Sequence, residues 1–227
     1  MSRIYLIRHG QAGTRDAYDA LSETGHRQAS LLGEYFLTRG VRFVKACSGA
    51  LSRQRQTAAA VAAACPGFPE IEPAPGWNEF DLDDIYKELA PVLCEEDPGF
   101  RFHYEAMRAD RQADRRWTPA DLQIVKAWVE GHAAYKGESW QAFRERIAAC
   151  RAPLTGDDDR NIAVFTSATP IGIWAALSLD IEDHRAFRLA GALYNASYTV
   201  MRLRADELRL HTFNAVPHLT PDLRTYR

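Results

Sequence analysis

Ile4-Tyr5-Leu6-Ile7 is a short, unbroken apolar run that ends directly on Arg8-His9-Gly10. A continuous run of this kind, β-branched and aromatic in part, predicts a strand buried on both faces, as in a parallel sheet. Polar residues at the end of such a strand stand where open α/β sheets bind their ligands. The arrangement recurs. Arg42 to Cys47 reads as a second strand and leads into Ser48 to Arg53. Ile162 to Phe165 is another, followed by Thr166-Ser167-Ala168-Thr169. In a parallel sheet the three polar clusters converge on one edge.

Helical segments separate these strands. Ser22 predicts an N-cap for a helix running to about Arg39, with Ala29, Leu32 and Phe36 on one face and Gly40 as its stop. Ala50 to Cys65 is rich in Ala, Gln and Arg and ends at Pro66-Gly67. A short strand near Ile71 follows. Ser139 predicts the cap of a helix in which Trp140, Phe143, Ile147 and Cys150 share a face. Asp157-Asp158-Asp159 reads as a polar turn. A helix from about Pro170 to Leu179 begins with proline in its first turn, where proline is tolerated. Ala196 to Leu203 and Leu208 to Phe213 read as a closing hairpin. Alternating strands and helices predict a layered α/β domain. From about Asp83 to Gly137 the chain is acidic and aromatic, with helical stretches such as Leu122 to Tyr135. That block reads as a helical insertion, about 83–137, covering the sheet's edge within a single domain spanning 1–227.

Composition narrows the function. With 46% apolar and 26% charged residues, the 227-residue chain has the profile of a soluble globular protein. A net charge of −2 argues against a strongly basic nucleic-acid binder. The apolar run near the N-terminus is too short for a signal-peptide core or a membrane span. Cys47, Cys65, Cys94 and Cys150 are scattered, without zinc-finger or redox-motif spacing. The expectation is a reduced, cytoplasmic protein. No cluster of His and carboxylates has metal-ligand spacing, so neither metal nor other cofactor is expected.

The polar clusters carry the chemistry. Arginine offers a planar fork of donors matched to phosphate oxygens and stays charged at any working pH. Histidine attacks phosphorus when one ring nitrogen is unprotonated. Gly10 lets the backbone come close to a ligand. Each piece alone is ordinary, and Arg53 and Arg55 also read simply as a solvated helix face.

Their combination resembles the histidine phosphatase superfamily, also called the phosphoglycerate-mutase-like family. Leu6-Ile7-Arg8-His9-Gly10-Gln11 looks like its signature. Leu21-Ser22-Glu23-Thr24-Gly25-His26-Arg27-Gln28-Ala29 resembles its "L-T-x-x-G-x-x-Q-A" segment. The stretch from Ser48 to Ala58 resembles "S-x-x-L-x-R-A-x-Q-T-A", with Gln54 in place of the alanine. Trp77-Asn78-Glu79-Phe80 resembles an acidic "L-x-E" stretch, and Gly137-Glu138-Ser139 resembles "G-E-S" before a helix. Tyr194 to Ser197 and Asn214 to Leu219 resemble the closing segments.

The resemblance implies a three-layer α/β/α fold with a mostly parallel sheet. It implies His9 as the nucleophile, Arg8 and Arg53 as phosphate ligands with Gln11 beside them, and Glu79 as the acid that protonates the leaving oxygen and then activates water. Asp81, Asp83 and Asp84 lie close in sequence and are alternatives for that acid. Phosphoryl transfer is largely positioning plus cationic donors, and an alkoxide leaving group needs a proton.

One departure stands out. The family pattern "V-x-H-G-G-x-I" meets Val164-Phe165-Thr166-Ser167-Ala168-Thr169-Pro170-Ile171, which puts Ser167 where a second histidine is expected. A hydroxyl still bonds a phosphate oxygen but brings no charge. Three explanations stand: a slow or substrate-complemented site, a histidine entering from elsewhere (His103 or His218), or a protein that binds phosphate ligands without turnover. His26, His132, His184 and His211 read as surface or structural residues, and Trp77, Trp117, Trp128, Trp140 and Trp174 as core or pocket wall.

The function implied is a phosphatase hydrolysing phosphomonoesters through a phosphohistidine on His9. The alternatives are a mutase-type phosphotransferase and a weak or inactive binding module. The expected partner is a small phosphorylated substrate or a phosphoprotein, with neither nucleic acid nor membrane.

Overall fold

A computed structural model of the chain describes residues 2–13, 19–109, 118–154, 159–182, 185–204 and 207–226. Trp117, His184 and Asp157-Asp158 lie outside the described residues. The chain divides into two compact units, one formed by residues 1–79 with 147–227, the other by Phe80–Arg146.

The first unit is built on a six-stranded sheet in the order β3-β2-β4-β1-β5-β6. Strands β1 (Ser2–Arg8), β2 (Lys45–Ser48), β3 (Ile71–Pro73) and β4 (Asn161–Thr166) run parallel; β5 (Tyr198–Arg204) and β6 (Glu207–Ala215) are antiparallel additions beside β1. The parallel strands explain the unbroken apolar runs, since β1 and β4 have neighbours on both edges and helices over both faces. Ile7 and Phe165 pack into a cluster with Ala29, Leu32 and Phe36 of α1 (Glu23–Thr38) and Ala58 and Val61 of α2 (Ser52–Ala64). Ile4 and Leu6, one residue out of phase on β1, are fully buried on the opposite face.

Local signals set the element ends. Ser22 caps α1, its side chain accepting from the Gly25 amide, and Gly40 at φ 65° follows the last turn. Helix α7 (Ala168–Leu179) is buried from Thr169 through Ala176, and a helix apolar all round belongs in a core. It starts two residues before Pro170, which falls within the first turn. The strand expected from Arg42 begins only at Lys45. The short helix α8 (Ala186–Gly191) carries too little periodicity to be read in advance.

The second unit holds α3 (Leu82–Glu96), α4 (Pro98–Ala109), α5 (Pro119–Glu130) and most of α6 (Trp140–Ala149). The helix expected over Leu122–Tyr135 is displaced toward the N-terminus. Thr118 and Asp121 form a reciprocal capping box, and Gly131 at φ 63° stops the helix. The unit's aromatic residues make its core: the Phe80 ring lies 4.9 Å from Trp128 and 5.7 Å from Phe143. The Tyr86 hydroxyl donates to Asp121 at 2.8 Å. All four cysteines are free thiols. No helix among the described residues is long and apolar enough to cross a membrane.

Candidate active site

Strands β2, β4 and β1 are neighbours in the sheet, and hydrogen bonds just past their ends tie the polar clusters together. The His9 amide donates to the Thr166 carbonyl at 3.0 Å, and the Gly49 amide to Phe165 at 3.0 Å. The segments beginning at Arg8, Ser48 and Thr166 therefore leave the sheet side by side at one edge.

His9 is 2% exposed. Its backbone carbonyl accepts from the Ala196 amide at 3.1 Å and from Asn195 Nδ2 at 3.4 Å. Ring nitrogen Nδ1 lies 2.8 Å from the Gly10 carbonyl oxygen. A carbonyl only accepts, so Nδ1 carries the proton and, in the neutral ring, Nε2 holds the in-plane lone pair. This is the tautomer a nucleophilic Nε2 requires. Gly10 itself donates to Thr57 Oγ1 at 3.0 Å, and that hydroxyl donates to the Arg53 carbonyl at 2.7 Å, fastening α2 to the turn after β1. The absence of a side chain at Gly10 is structural: a Cβ there would meet the Gly25 carbonyl oxygen at 2.5 Å.

Arg8 and Arg53 are each 7% exposed, so neither lies on a solvated helix face; Arg55, two residues on, does. Arg8 Nη1 donates to the Leu193 carbonyl. Arg53 Nη1 pairs with Asp19 Oδ1 at 3.2 Å, and the same carboxylate takes the Ser52 amide at the start of α2. Gln11 Oε1 accepts from the Ser22 hydroxyl at 2.8 Å, which leaves its NH2 as the donor end of the side chain.

Glu79 follows a short 3-10 turn, Pro75–Trp77, whose Trp77 ring packs 4.9 Å from Trp174. Its Oε2 accepts from the Thr169 amide in the first turn of α7 at 3.1 Å. Glu79 is thereby held against the segment that carries Ser167. Two of the three alternatives make other contacts: Asp81 caps α3 by accepting from the Asp84 amide, and Asp84 Oδ2 accepts the Tyr135 hydroxyl at 2.8 Å.

Ser167 is the N-cap residue of α7, yet its side chain makes no capping bond. Its Oγ accepts from Gln54 Nε2 at 2.9 Å. Gln54, Thr57, Thr169 and Asn195 hydrogen-bond to the candidate site segments, and the sequence assigns none of them a role. Thr57 sat inside a matched segment and Gln54 was visible as a departure, but neither contact could be read from one sequence.

His103 lies on α4, its ring against Phe102. His218 lies 6.1 Å from the Tyr35 ring, and burial pushes its pKa down to about 4, against a smaller opposing contribution from the Ala196 backbone. At neutral pH it is uncharged, so it does not restore a cation. Of the remaining histidines, His26, His132 and His211 are exposed. Cys47, next to Ser48, is no rival nucleophile: burial pushes its thiol up to about 12.

The model of the histidine phosphatase superfamily (branch 1) matches residues 4–123 and 89–216. The chain belongs to that superfamily. A broad-specificity phosphatase of Saccharomyces cerevisiae is 40% identical over 215 residues, covering 88% of this chain and 78% of the yeast protein. Among solved structures, a mycobacterial glucosyl-3-phosphoglycerate phosphatase with inorganic phosphate superposes with a TM-score of 0.63 at 22% identity, covering 96% of this chain and 99% of that one. A phosphoserine phosphatase of Entamoeba histolytica, in complex with 3-phosphoglyceric acid, gives 0.63 at 19% identity over 97% and 100%. These structural likenesses establish the shared superfamily fold, a three-layer α/β/α architecture.

Proposed function

We propose that this histidine phosphatase superfamily member hydrolyses small phosphomonoesters through a phosphohistidine on His9. The observation that carries the reading is the bond from His9 Nδ1 to the Gly10 carbonyl, which selects the Nε2 lone-pair tautomer at the shared strand edge. The yeast relative, a broad-specificity phosphatase by name, supports it.

In this reading Nε2 attacks phosphorus while the ester P–O bond breaks, and a protonated Glu79 gives its proton to the departing oxygen. Water then attacks the phosphohistidine, the N–P bond breaks, and Glu79 takes the proton from that water. Arg8, Arg53 and the Gln11 NH2 group hold the phosphoryl oxygens. Fixed donors aimed at developing negative charge are usually the largest catalytic contribution in such a site. Bond making needs no metal, because guanidinium groups supply the positive charge.

The test is turnover of p-nitrophenyl phosphate by wild type and His9→Ala, followed by trapping of acid-labile phosphate on the protein. The expected result is loss of turnover and of labelling together in the variant. Equal rates in both proteins would instead make the chain a binder of phosphorylated ligands. Phosphoglycerate isomerisation outrunning hydrolysis would make it a mutase.

A further inference from the structure

Two positions depart from the family pattern within the phosphate-binding segments, Gln54 for alanine and Ser167 for histidine. They are 113 residues apart in sequence and 2.9 Å apart in the fold. Gln54 is 0% exposed and Ser167 1%. Which end of the Gln54 amide faces the serine is fixed by a third group. The Trp77 carbonyl, which can only accept, takes Gln54 Nε2 at 3.2 Å. Nε2 therefore donates its other hydrogen to Ser167 Oγ. The amide oxygen turns the opposite way, onto the bare α-carbon of Gly49, where a Cβ would lie only 2.0 Å from it. Gly49 thus makes room for Gln54, and Gln54 leans on Ser167.

The consequence concerns the serine hydrogen. Ser167 Oγ already receives an N–H, so its own O–H must be given away, and no acceptor for it occurs among the described residues. The carbonyl of the residue before it, Thr166, accepts the His9 amide, so Ser167 directly follows the backbone bonded to His9.

We propose that Gln54 and Ser167 act as one neutral donor for the phosphoryl group, Gln54 being the positioning residue and Ser167 the one that touches a phosphate oxygen. This rests on the phosphatase reading above and adds to it how the site works with the second histidine replaced. A neutral donor does not titrate between pH 5 and 8, whereas a histidine there would lose its charge as the pH rises.

The experiment is a double-mutant cycle with Gln54→Met, which keeps the bulk and removes the amide, and Ser167→Ala. The readouts are inorganic phosphate affinity by calorimetry and kcat/KM on p-nitrophenyl phosphate. Each single variant is expected to weaken phosphate binding about tenfold, and the double variant to weaken it by about the same tenfold, since coupled residues are not additive. Losses that multiply in the double variant, or unchanged affinity in Gln54→Met, would overturn the proposal. A second pair of variants probes the same point. Ser167→His alone is expected to bring no gain, because the Gln54 amide still fills the neighbouring space. Gln54→Ala with Ser167→His is expected to tighten phosphate binding at pH 6 and, relative to wild type, to lose that gain by pH 8. A gain from Ser167→His alone, or a pH response equal to wild type in the combined variant, would count against the pair. If wild type turns over no p-nitrophenyl phosphate, the phosphatase reading fails, while calorimetry with inorganic phosphate still decides whether the pair binds it.

Discussion

Gly10 illustrates how a single residue carries both fold and site. Its α-carbon lies so close to the start of α1 that an added methyl would meet the Gly25 carbonyl oxygen at 2.5 Å. Neither backbone can yield without moving the turn that carries His9. Gly10→Ala is expected to destabilise the protein by about 1–3 kcal/mol, the range for overpacking a tight site. A urea midpoint equal to wild type would contradict this. At this scale much was legible in the sequence. Arg8, His9 and Arg53 lie in matched segments that follow predicted strands, and the fold brings those segments to one sheet edge, whereas Glu79 follows a 3-10 turn. The Gln54–Ser167 contact was not legible, because two departures in one sequence carry no sign that they touch. The tautomer of His9 was equally hidden, being set by a carbonyl one residue away whose direction depends on the turn.

Among the elements, those with strong periodicity and clear caps were read almost to the residue. The helix from Ser22 and the strand at Ile162 are examples, since buried faces and caps leave few alternatives. Helix α5 shows the opposite case. Its apolar pattern continues past Glu130, but Gly131 at φ 63° stops the helix and the Thr118–Asp121 box starts it earlier than expected. Thr118→Ala removes a side-chain acceptor from the first turn and is expected to destabilise the second unit by about 1 kcal/mol. Hydrogen exchange should show faster opening of α3 to α5, with amides of the sheet unit less affected; uniform acceleration across both units would argue otherwise.

For the molecule as a whole, acid stability is the informative quantity. His218 has an ordinary pKa of 6.5 that burial lowers to about 4. Above pH 6.5 the ring is neutral in folded and unfolded chains alike and has no effect. Between 6.5 and 4 the unfolded chain binds a proton that the native state refuses, so stability falls as the pH falls. The loss levels off near pH 4 at a ceiling of about 3 kcal/mol. Chemical denaturation of wild type and His218→Gln across this window is expected to show a stability difference that is constant above pH 7 and shifts in the variant's favour toward pH 4. Parallel curves would show that the ring is better solvated than its surroundings imply. At this scale the layered α/β plan was legible because alternating strands and helices admit few arrangements. The arrangement of the helical block from Phe80 was not, because its packing rests on aromatic pairs such as Phe80 with Trp128 that are far apart in sequence.

One peptide oxygen gathers several of these threads. The Trp77 carbonyl receives both the Thr166 hydroxyl and the Gln54 amide, and Glu79 follows two residues later. A shift of that peptide would carry the Glu79 carboxylate and the Gln54–Ser167 pair in the same direction. In the proposed reaction the distance from the Glu79 carboxyl to the phosphoryl group would then change less than either side moves alone.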